Sequence, residues 1–349
     1  MQNYKKILII QKKRVTLRKI LGFTMIISRT PLRISFAGGG SDLPSYYREA
    51  GGAVLSTTID KYIYLAVHKY FYPNQSLLKY SKTELVNNNS EIQHPLFREC
   101  MQMLDIHGID ISSMADVPAG TGLGSSSAFT VSLLNVLHAY KHEAVSPEYL
   151  ASTACDIEIN RLGDPIGKQD QYAAAYGGLN FIRFGQDGSV DVEKVVMQPM
   201  AKAQLDRNLL MYYTGTTHSA SAILREQNKE MQQLSKRQVI GRMVDMVYEL
   251  KQVLENNYID DFGRILHEGW LLKKSISNGI SNPVIDTLYD TGLQAGALGG
   301  KLLGAGGAGF VLFYVPEDKQ ALFRQQMQTY TELPFHFESY GSKIIYTNE

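Results

Sequence analysis

Residues 118–128, Pro-Ala-Gly-Thr-Gly-Leu-Gly-Ser-Ser-Ser-Ala, constrain this chain more than any other stretch. Gly120, Gly122 and Gly124 run straight into residues 125–140, whose apolar spacing predicts a helix. Glycines let a bulky anion approach the backbone, and the helix behind them supplies free N–H groups and the positive end of its dipole. A loop of this kind is a phosphate cradle, with Pro118, Gly120, Gly122, Leu123, Gly124, Ser125, Ser126 and Ser127 as candidate nucleotide contacts. Of the three serines, one can cap the helix and another can reach a phosphate or its Mg²⁺. No lysine precedes the hydroxyls, so the GxxxxGK[ST] loop of the P-loop ATPases is absent.

Two further glycine clusters flank this loop. Gly304-Ala-Gly-Gly-Ala-Gly309 matches GxGxxG, but a dinucleotide-binding fingerprint needs a helix to open inside it, and residues 310–315 read as a strand. A hairpin link is the better reading, with Gly306 and Gly307 as candidate substrate contacts. Gly38-Gly-Gly-Ser-Asp42 follows a predicted strand, residues 31–37. Arg33 and Asp42 bracket that turn, so Gly39, Gly40, Ser41 and Asp42 are candidates for holding a polyol, and Arg33 for stabilising negative charge.

A chain of 349 residues is about the size of two domains with a cleft between them. Strands are predicted at 26–37, 53–58, 62–70, 77–81 and 109–117, with helices at 95–107, 125–140 and 147–160. Further strands follow at 179–184 and 189–196. A polar stretch, 199–206, reads as the lobe boundary. Beyond it come a strand at 209–214, helices at 219–232, 237–256, 260–275 and 283–294, strands at 301–303 and 310–315, and a last helix and strand. Helices mixed with antiparallel-looking strands predict two α+β lobes, residues 25–200 and 201–349, rather than a doubly wound parallel sheet. Trp270, at helical spacing with Leu266 and Lys273, reads as packing.

Charge and cysteine content narrow the classes. The first 24 residues hold seven Lys/Arg and no acid, which leaves 28 basic against 34 acidic residues, a net −6, in the remainder. A body of that sign is a poor nucleic-acid binder. Segment 1–24 reads as a disordered basic extension, since its apolar stretches are too short for a signal-peptide core. No run approaches the roughly 20 apolar residues of a membrane span, so a cytoplasmic protein is expected. Cys100 and Cys155 have neither disulfide nor metal-ligand spacing and read as reduced, buried thiols.

Phosphate chemistry needs carboxylates, and residues 158–171 supply them. Glu158 lies near a predicted helix end, Asp170 follows a glycine turn, and Asp164 before Pro165 reads as a turn residue. Lys168 can steady a transferring group or simply be a surface lysine.

In their order and spacing the three clusters resemble the motifs of the GHMP kinases (galactokinase, homoserine kinase, mevalonate kinase and phosphomevalonate kinase) over essentially residues 30–315. The resemblance implies an amino-terminal lobe like a ribosomal-protein α+β domain, a ferredoxin-like carboxy-terminal lobe, and ATP along residues 118–128. It implies Mg²⁺ held by Ser126 and Glu158, Asp170 facing the acceptor hydroxyl as base or electrostatic anchor, and Arg33 and Lys168 assisting. Within the family, residues 31–47 look closest to the bacterial D-glycero-D-manno-heptose 7-phosphate kinases, which phosphorylate an anomeric hydroxyl on the way to nucleotide-activated heptose for surface glycans. The implied partners are ATP and a sugar phosphate, whose own phosphate can meet the loop at 214–221 with His218; homodimerisation is left open. A fucokinase-like sugar 1-kinase is the competing reading inside the family. A non-catalytic sugar- or nucleotide-binding protein is the competitor outside it, favoured if Asp170 pointed away from the glycine loop.

Overall fold

The computed structural model describes residues 25–217, 220–230 and 233–347; the basic segment 1–24 and His218 lie outside them. The first lobe is built around a nine-stranded sheet. Its strands are β1 (Ile26–Ala37), β2 (Gly52–Lys69), β3 (Ser76–Lys79), β4 (Thr83–Val86), β5 (Ile109–Ala115), β6 (Asn180–Phe184) and β7 (Val190–Lys194). Two strands from the far end of the chain complete it. Its helices are α1 (Pro44–Ala50), α2 (Pro95–Met103), α3 (Ser125–Tyr140), α4 (Pro147–Cys155) and α5 (Gln169–Tyr176), with a π-helical turn at Asp156–Arg161 extending α4.

Where the sequence predicts two strands, 53–58 and 62–70, there is one 18-residue strand, β2. Pro31 faces Tyr62 while Leu32 faces Ile59, so Asp60 and Lys61 bulge out of the register. A bulge of this kind sharpens the local bend, and β2 pairs β6 through its first half and β5 through its second. Pro31 has no N–H to give, and β13 (Lys343–Thr347) pairs β1 only as far as Arg29, so Pro31 meets an open edge. The same edge then takes the glycine loop, because the Arg33 N–H donates to the Leu123 carbonyl at 3.0 Å.

Helix α3 lies across β1 and β2 and buries Val131, Leu133, Leu134, Val136 and Leu137. Ser28 of β1 and Ser132 of α3 pair their hydroxyls at 2.8 Å within that contact. The glycine loop is therefore held at both ends, by a strand edge and by a buried helix.

The expected boundary stretch is instead helix α6 (Pro199–Asn208), with Pro199 at the first turn where a missing N–H costs nothing. The second lobe has an antiparallel sheet in the order β11 (Thr331–Glu332), β8 (Leu209–Tyr213), β10 (Phe310–Tyr314), β9 (Gly299–Leu302). Around it lie α7 (Ala220–Glu230), α8 (Leu234–Glu255), α9 (Ile259–Lys274), α10 (Pro283–Gln294) and α11 (Gln320–Gln326). Trp270, fully buried beside Tyr289, belongs to the core between α9 and this sheet.

The lobes are fused. The Phe36 and Phe262 rings meet edge to face at 5.0 Å, and the buried Lys301 ammonium of β9 donates to the Ser35 and Phe36 carbonyls of β1 at 2.8 and 3.0 Å. The chain also crosses back: β12 (Phe337–Glu338) pairs with β2, and β13 pairs with β1. Both cysteines are buried free thiols, pushed up in pKa by that burial. Among the described residues no helix is long and apolar enough to cross a membrane.

Candidate active site

A cleft of about 320 Å³ opens where the three glycine clusters converge. Gly120, Gly122 and Gly124 all have left-handed backbones, with φ of +77°, +82° and +73°. Gly124 immediately precedes α3, and no side chain caps the helix there. The expected serine cap is not made, because Gly124 holds the cap position and the serines fall inside the helix, where Ser127 turns its hydroxyl down to the Glu158 carboxylate at 2.8 Å. The first-turn N–H groups of a buried helix are thus left for whatever enters the cleft. That is a fit to polyphosphate that a capped helix would lack.

Arg33 and Asp170 form the centre. The Arg33 guanidinium is buried and holds Asp170 in a two-pronged pair, Nε to Oδ1 and Nη2 to Oδ2, each at 2.7 Å. Its remaining arm, Nη1, donates to the Gly122 carbonyl at 2.6 Å. A Cβ on Gly124 would lie 3.3 Å from Asp170 Oδ2 and 3.2 Å from Arg33 Cγ, so the glycine loop rests directly on the pair. Asp170 faces the loop.

Asp42 sits one step further into the cleft. Its Oδ1 accepts from the Gly40 N–H at 3.1 Å and its Oδ2 from the Gln169 N–H at 3.2 Å, at the start of the helix that carries Asp170. Burial pushes this carboxyl up, with Asp170 adding to the effect and the N–H bonds opposing it. A Cβ on Gly167 would lie 1.9 Å from Asp42 Oδ2. Gly39, Gly40, Asp164, Ile166, Gly167 and Gln169 complete this side, and Leu224 and Gln227 of α7 face them. Asp164, read as a turn residue, therefore lines the cleft; burial raises its pKa and Arg225 opposes that.

Lys273, read from its helical spacing as part of a packing face, is the principal residue that sequence reasoning missed. It lies one turn after Trp270 on the same face of α9, but there the helix ends and the face meets the cleft. Its ammonium donates to the carbonyl of Gly304, and burial, followed by repulsion from Arg33, brings its pKa down to about 8. Lys301 straps the lobes together, and burial keeps its pKa far below that of a free lysine.

The expected magnesium pair, Ser126 and Glu158, is not brought together. Ser126 lines the cleft, whereas Glu158 is fully buried in the π-helical turn and receives hydrogen bonds from Ser127, Thr130 and Gln171. A π turn carries more residues than an α turn and re-aims its side chains. Burial, relieved only in part by these bonds, pushes the Glu158 carboxyl up to about 7. No group of three His, Cys, Asp or Glu suited to a metal occurs among the described residues. This donor set fits an Mg²⁺ that arrives on phosphates and needs only one or two protein groups, not a resident ion in a protein cage.

Other candidates serve the framework. Leu123 is buried, and Pro118 does not line the cleft, its carbonyl accepting from the Thr121 hydroxyl. The Ser41 hydroxyl ties to the backbone of Ala53. Lys168 turns away to the Gly188 carbonyl at 2.6 Å and lies over the Tyr47 ring. Gly304–Gly309 links two antiparallel strands as a hairpin, so no dinucleotide fingerprint forms. Within it Gly304 and Ala305 reach the cleft, while Gly306 and Gly307 pack on the backbone of Ile280.

Known proteins resemble this chain in sequence and in fold. The family model of the GHMP kinases' N-terminal domain matches residues 81–178, and that of the GHMP kinases' C-terminal part matches residues 246–330. The D-glycero-alpha-D-manno-heptose 7-phosphate kinase of Campylobacter jejuni is 28% identical over 307 residues, 84% of this chain and 91% of that protein. The bifunctional fucokinase/GDP-fucose pyrophosphorylase of Arabidopsis thaliana is 26% identical over 329 residues, 86% of this chain but 31% of the plant protein. The crystal structure of a D-glycero-D-manno-heptose 1-phosphate kinase from Bacteroides thetaiotaomicron superposes with a TM-score of 0.77 at 26% identity, covering 93% of this chain and 100% of that one.

Proposed function

Because the chain belongs to the GHMP kinase family, phosphotransferases that use ATP and an alcohol acceptor, we propose that it phosphorylates the anomeric hydroxyl of a sugar phosphate. The acceptor is D-glycero-D-manno-heptose 7-phosphate, and the product its 1,7-bisphosphate, a precursor of nucleotide-activated heptose for surface glycans. The observation that carries the reading is the Arg33–Asp170 pair at the meeting of phosphate loop and polyol pocket. A hydroxyl placed there finds an acceptor oxygen on Asp170 while a phosphate lies over Gly124. Heptose enters through the relatives' names. The C. jejuni protein is named for the 7-phosphate and the B. thetaiotaomicron structure for the 1-phosphate. A 7-phosphate leaves the anomeric hydroxyl free to react, whereas a 1-phosphate does not.

In this reading residues 120–127 hold the triphosphate through backbone N–H groups and serine hydroxyls, positioning it rather than reacting with it. Asp170 takes the hydrogen bond of the attacking hydroxyl, and the guanidinium of Arg33 fixes both carboxylate oxygens so that the carboxylate cannot rotate away. Asp42, with the Gly39–Gly40 backbone and Gln169, orients the sugar hydroxyls. Ser126 would hold Mg²⁺, and Glu158 would act on the site through its hydrogen bond with Ser127. When bound, the ion supplies charge neutralisation on the phosphates.

A fucokinase-like reading is favoured by one observation. Among the described residues the only cations lining the cleft are Arg33 and Lys273, both at its centre, which suits a neutral sugar. The deciding experiment measures ATP consumption by the purified protein and by Asp170→Ala with heptose 7-phosphate, mannose 6-phosphate, free heptose and fucose. Turnover with heptose 7-phosphate alone, lost in the variant, is expected. Turnover with free sugars only would replace the heptose reading by the fucokinase-like one, and nucleotide binding without turnover would overturn both.

A further inference from the structure

Lys273 is a cation that the fold has no structural need to bury. Losing water disfavours its charged form, and the buried structural lysine, Lys301, is held by two backbone carbonyls where Lys273 has one. Two carboxylates are near, but both are committed: Asp170 to Arg33 through each oxygen, and Asp42 to the N–H groups of Gly40 and Gln169. Among the described residues the only hydrogen bond of the Lys273 ammonium goes to the Gly304 carbonyl. Two N–H donors of an unneutralised ammonium therefore remain in the cleft, beside the junction of the second and third glycine loops. Its neighbour Lys274 shows the contrast, lying partly exposed and paired with Asp286 at 3.2 Å.

We propose that Lys273 is a catalytic residue whose ammonium contacts the γ-phosphoryl oxygens of ATP as that group is transferred. In the step, the acceptor oxygen forms a bond to the γ-phosphorus and the bond from that phosphorus to the bridging oxygen of ADP breaks. The hydroxyl proton leaves by way of Asp170, and Lys273 neither gains nor loses a proton. Arg33 is already neutralised by Asp170, so Lys273 supplies the positive charge that the equatorial oxygens require. The inference rests on phosphoryl transfer from ATP and not on which sugar accepts it.

The groups facing this ammonium are Arg33 on β1, Asp42, Asp170 on α5 and Lys301 on β9. A pKa of about 8 places the loss of its charge within reach of assay: the charged form is present below that pH and is lost above it.

The test compares the wild-type protein with Lys273→Met, Lys273→Arg and the control Lys274→Met. Affinity for ADP and for the non-hydrolysable analogue AMP-PNP is read by calorimetry and by fluorescence of Trp270, the only tryptophan. Lys273→Met is expected to weaken AMP-PNP binding about tenfold with ADP unchanged, and to lower kcat about 10²-fold. Its melting temperature should be unchanged or raised, since an uncompensated charge is removed. Wild-type AMP-PNP affinity should fall from pH 7 to pH 9, and Lys273→Arg should abolish that fall. Equal losses for ADP and AMP-PNP, a wild-type kcat in Lys273→Met, or an unchanged pH dependence in Lys273→Arg would each overturn the proposal. Should Lys273→Met fail to fold, the Lys273→Arg pH comparison decides alone. Because the nucleotide measurements contain no acceptor, they stand whichever sugar is the substrate.

Discussion

Gly122 and Gly304 touch backbone to backbone: a Cβ on Gly304 would sit 2.4 Å from the Gly122 Cα, and one on Gly122 would sit 2.4 Å from the Leu303 carbonyl oxygen. The glycine loop of the first lobe and the hairpin of the second are therefore a single surface. Neither position has room for a methyl group, and both backbones are left-handed.

Gly122→Ala and Gly304→Ala should each cost about 1–3 kcal/mol of stability through overpacking and strain, and at least tenfold in affinity for an ATP analogue. Gly163→Ala is the control for backbone strain alone. Its φ is also left-handed, but nothing lies within 4 Å of the added Cβ, so it should cost about 1 kcal/mol and leave affinity intact. Denaturant titration and calorimetry on the three variants check this.

Removing Asp170 strands a buried guanidinium. Asp170→Asn should lose about 3 kcal/mol of stability and about 10³-fold in kcat, with nucleotide affinity little changed. The double variant Arg33→Met/Asp170→Asn should be less destabilised than the two single effects combined, because no lone charge remains. A double-mutant cycle by urea unfolding gives the coupling, and additive losses would refute the pairing.

Glu158 gives stability a pH dependence whose sign follows from burial. Below about pH 4.5 its carboxyl is protonated in folded and unfolded chains alike. Between there and about pH 7 the folded protein keeps a proton that the unfolded chain has released, so this contribution is lost as pH rises through 7. In metal-free buffer Glu158→Gln should gain on wild type by about 2–3 kcal/mol between pH 5 and pH 8. Gln171 can turn its amide to serve the new side chain, since its buried oxygen has no partner. A gap that does not change with pH would show that the carboxyl is ionised throughout.

Ending the chain after Phe335 should unfold the first lobe rather than the second. The lost segment holds the Glu338 carbonyl, which accepts from the Thr58 hydroxyl at 2.8 Å, and Ser342, whose hydroxyl receives hydrogen bonds from Thr30 and Asn135. Limited proteolysis should then cut within residues 26–69 while β8 and β10 stay protected.

Sequence made part of this molecule legible. The helix at 125–140, the helix at 283–294 and the strand at 26–37 fall where the sequence places them, because each is long, rich in apolar residues and bounded by glycine or proline. Helix α5, which carries Asp170, was hidden. It is short, and its alanines face the interior while its polar residues serve the site, so it shows no stripe. The signal available was Ala173, Ala174 and Ala175 running up to Gly177 as a helix stop. Lys273 was hidden for another reason: periodicity reports which face of a helix is covered, and not whether the cover is protein or ligand. The bulge at Asp60 and Lys61 split one strand into two, since register is set by the partner strand.

The edge of β1 that receives β13 has a temporal meaning. Residues 26–29 leave the ribosome long before the strand that covers them, 343–347. Between the two the first lobe can collapse around α3, but its outer edge has no partner, and contacts this distant in sequence form slowly. For that interval the nascent protein presents an open strand to other chains. A chaperone that shields β1 during translation should raise the yield of native protein more than one acting after release.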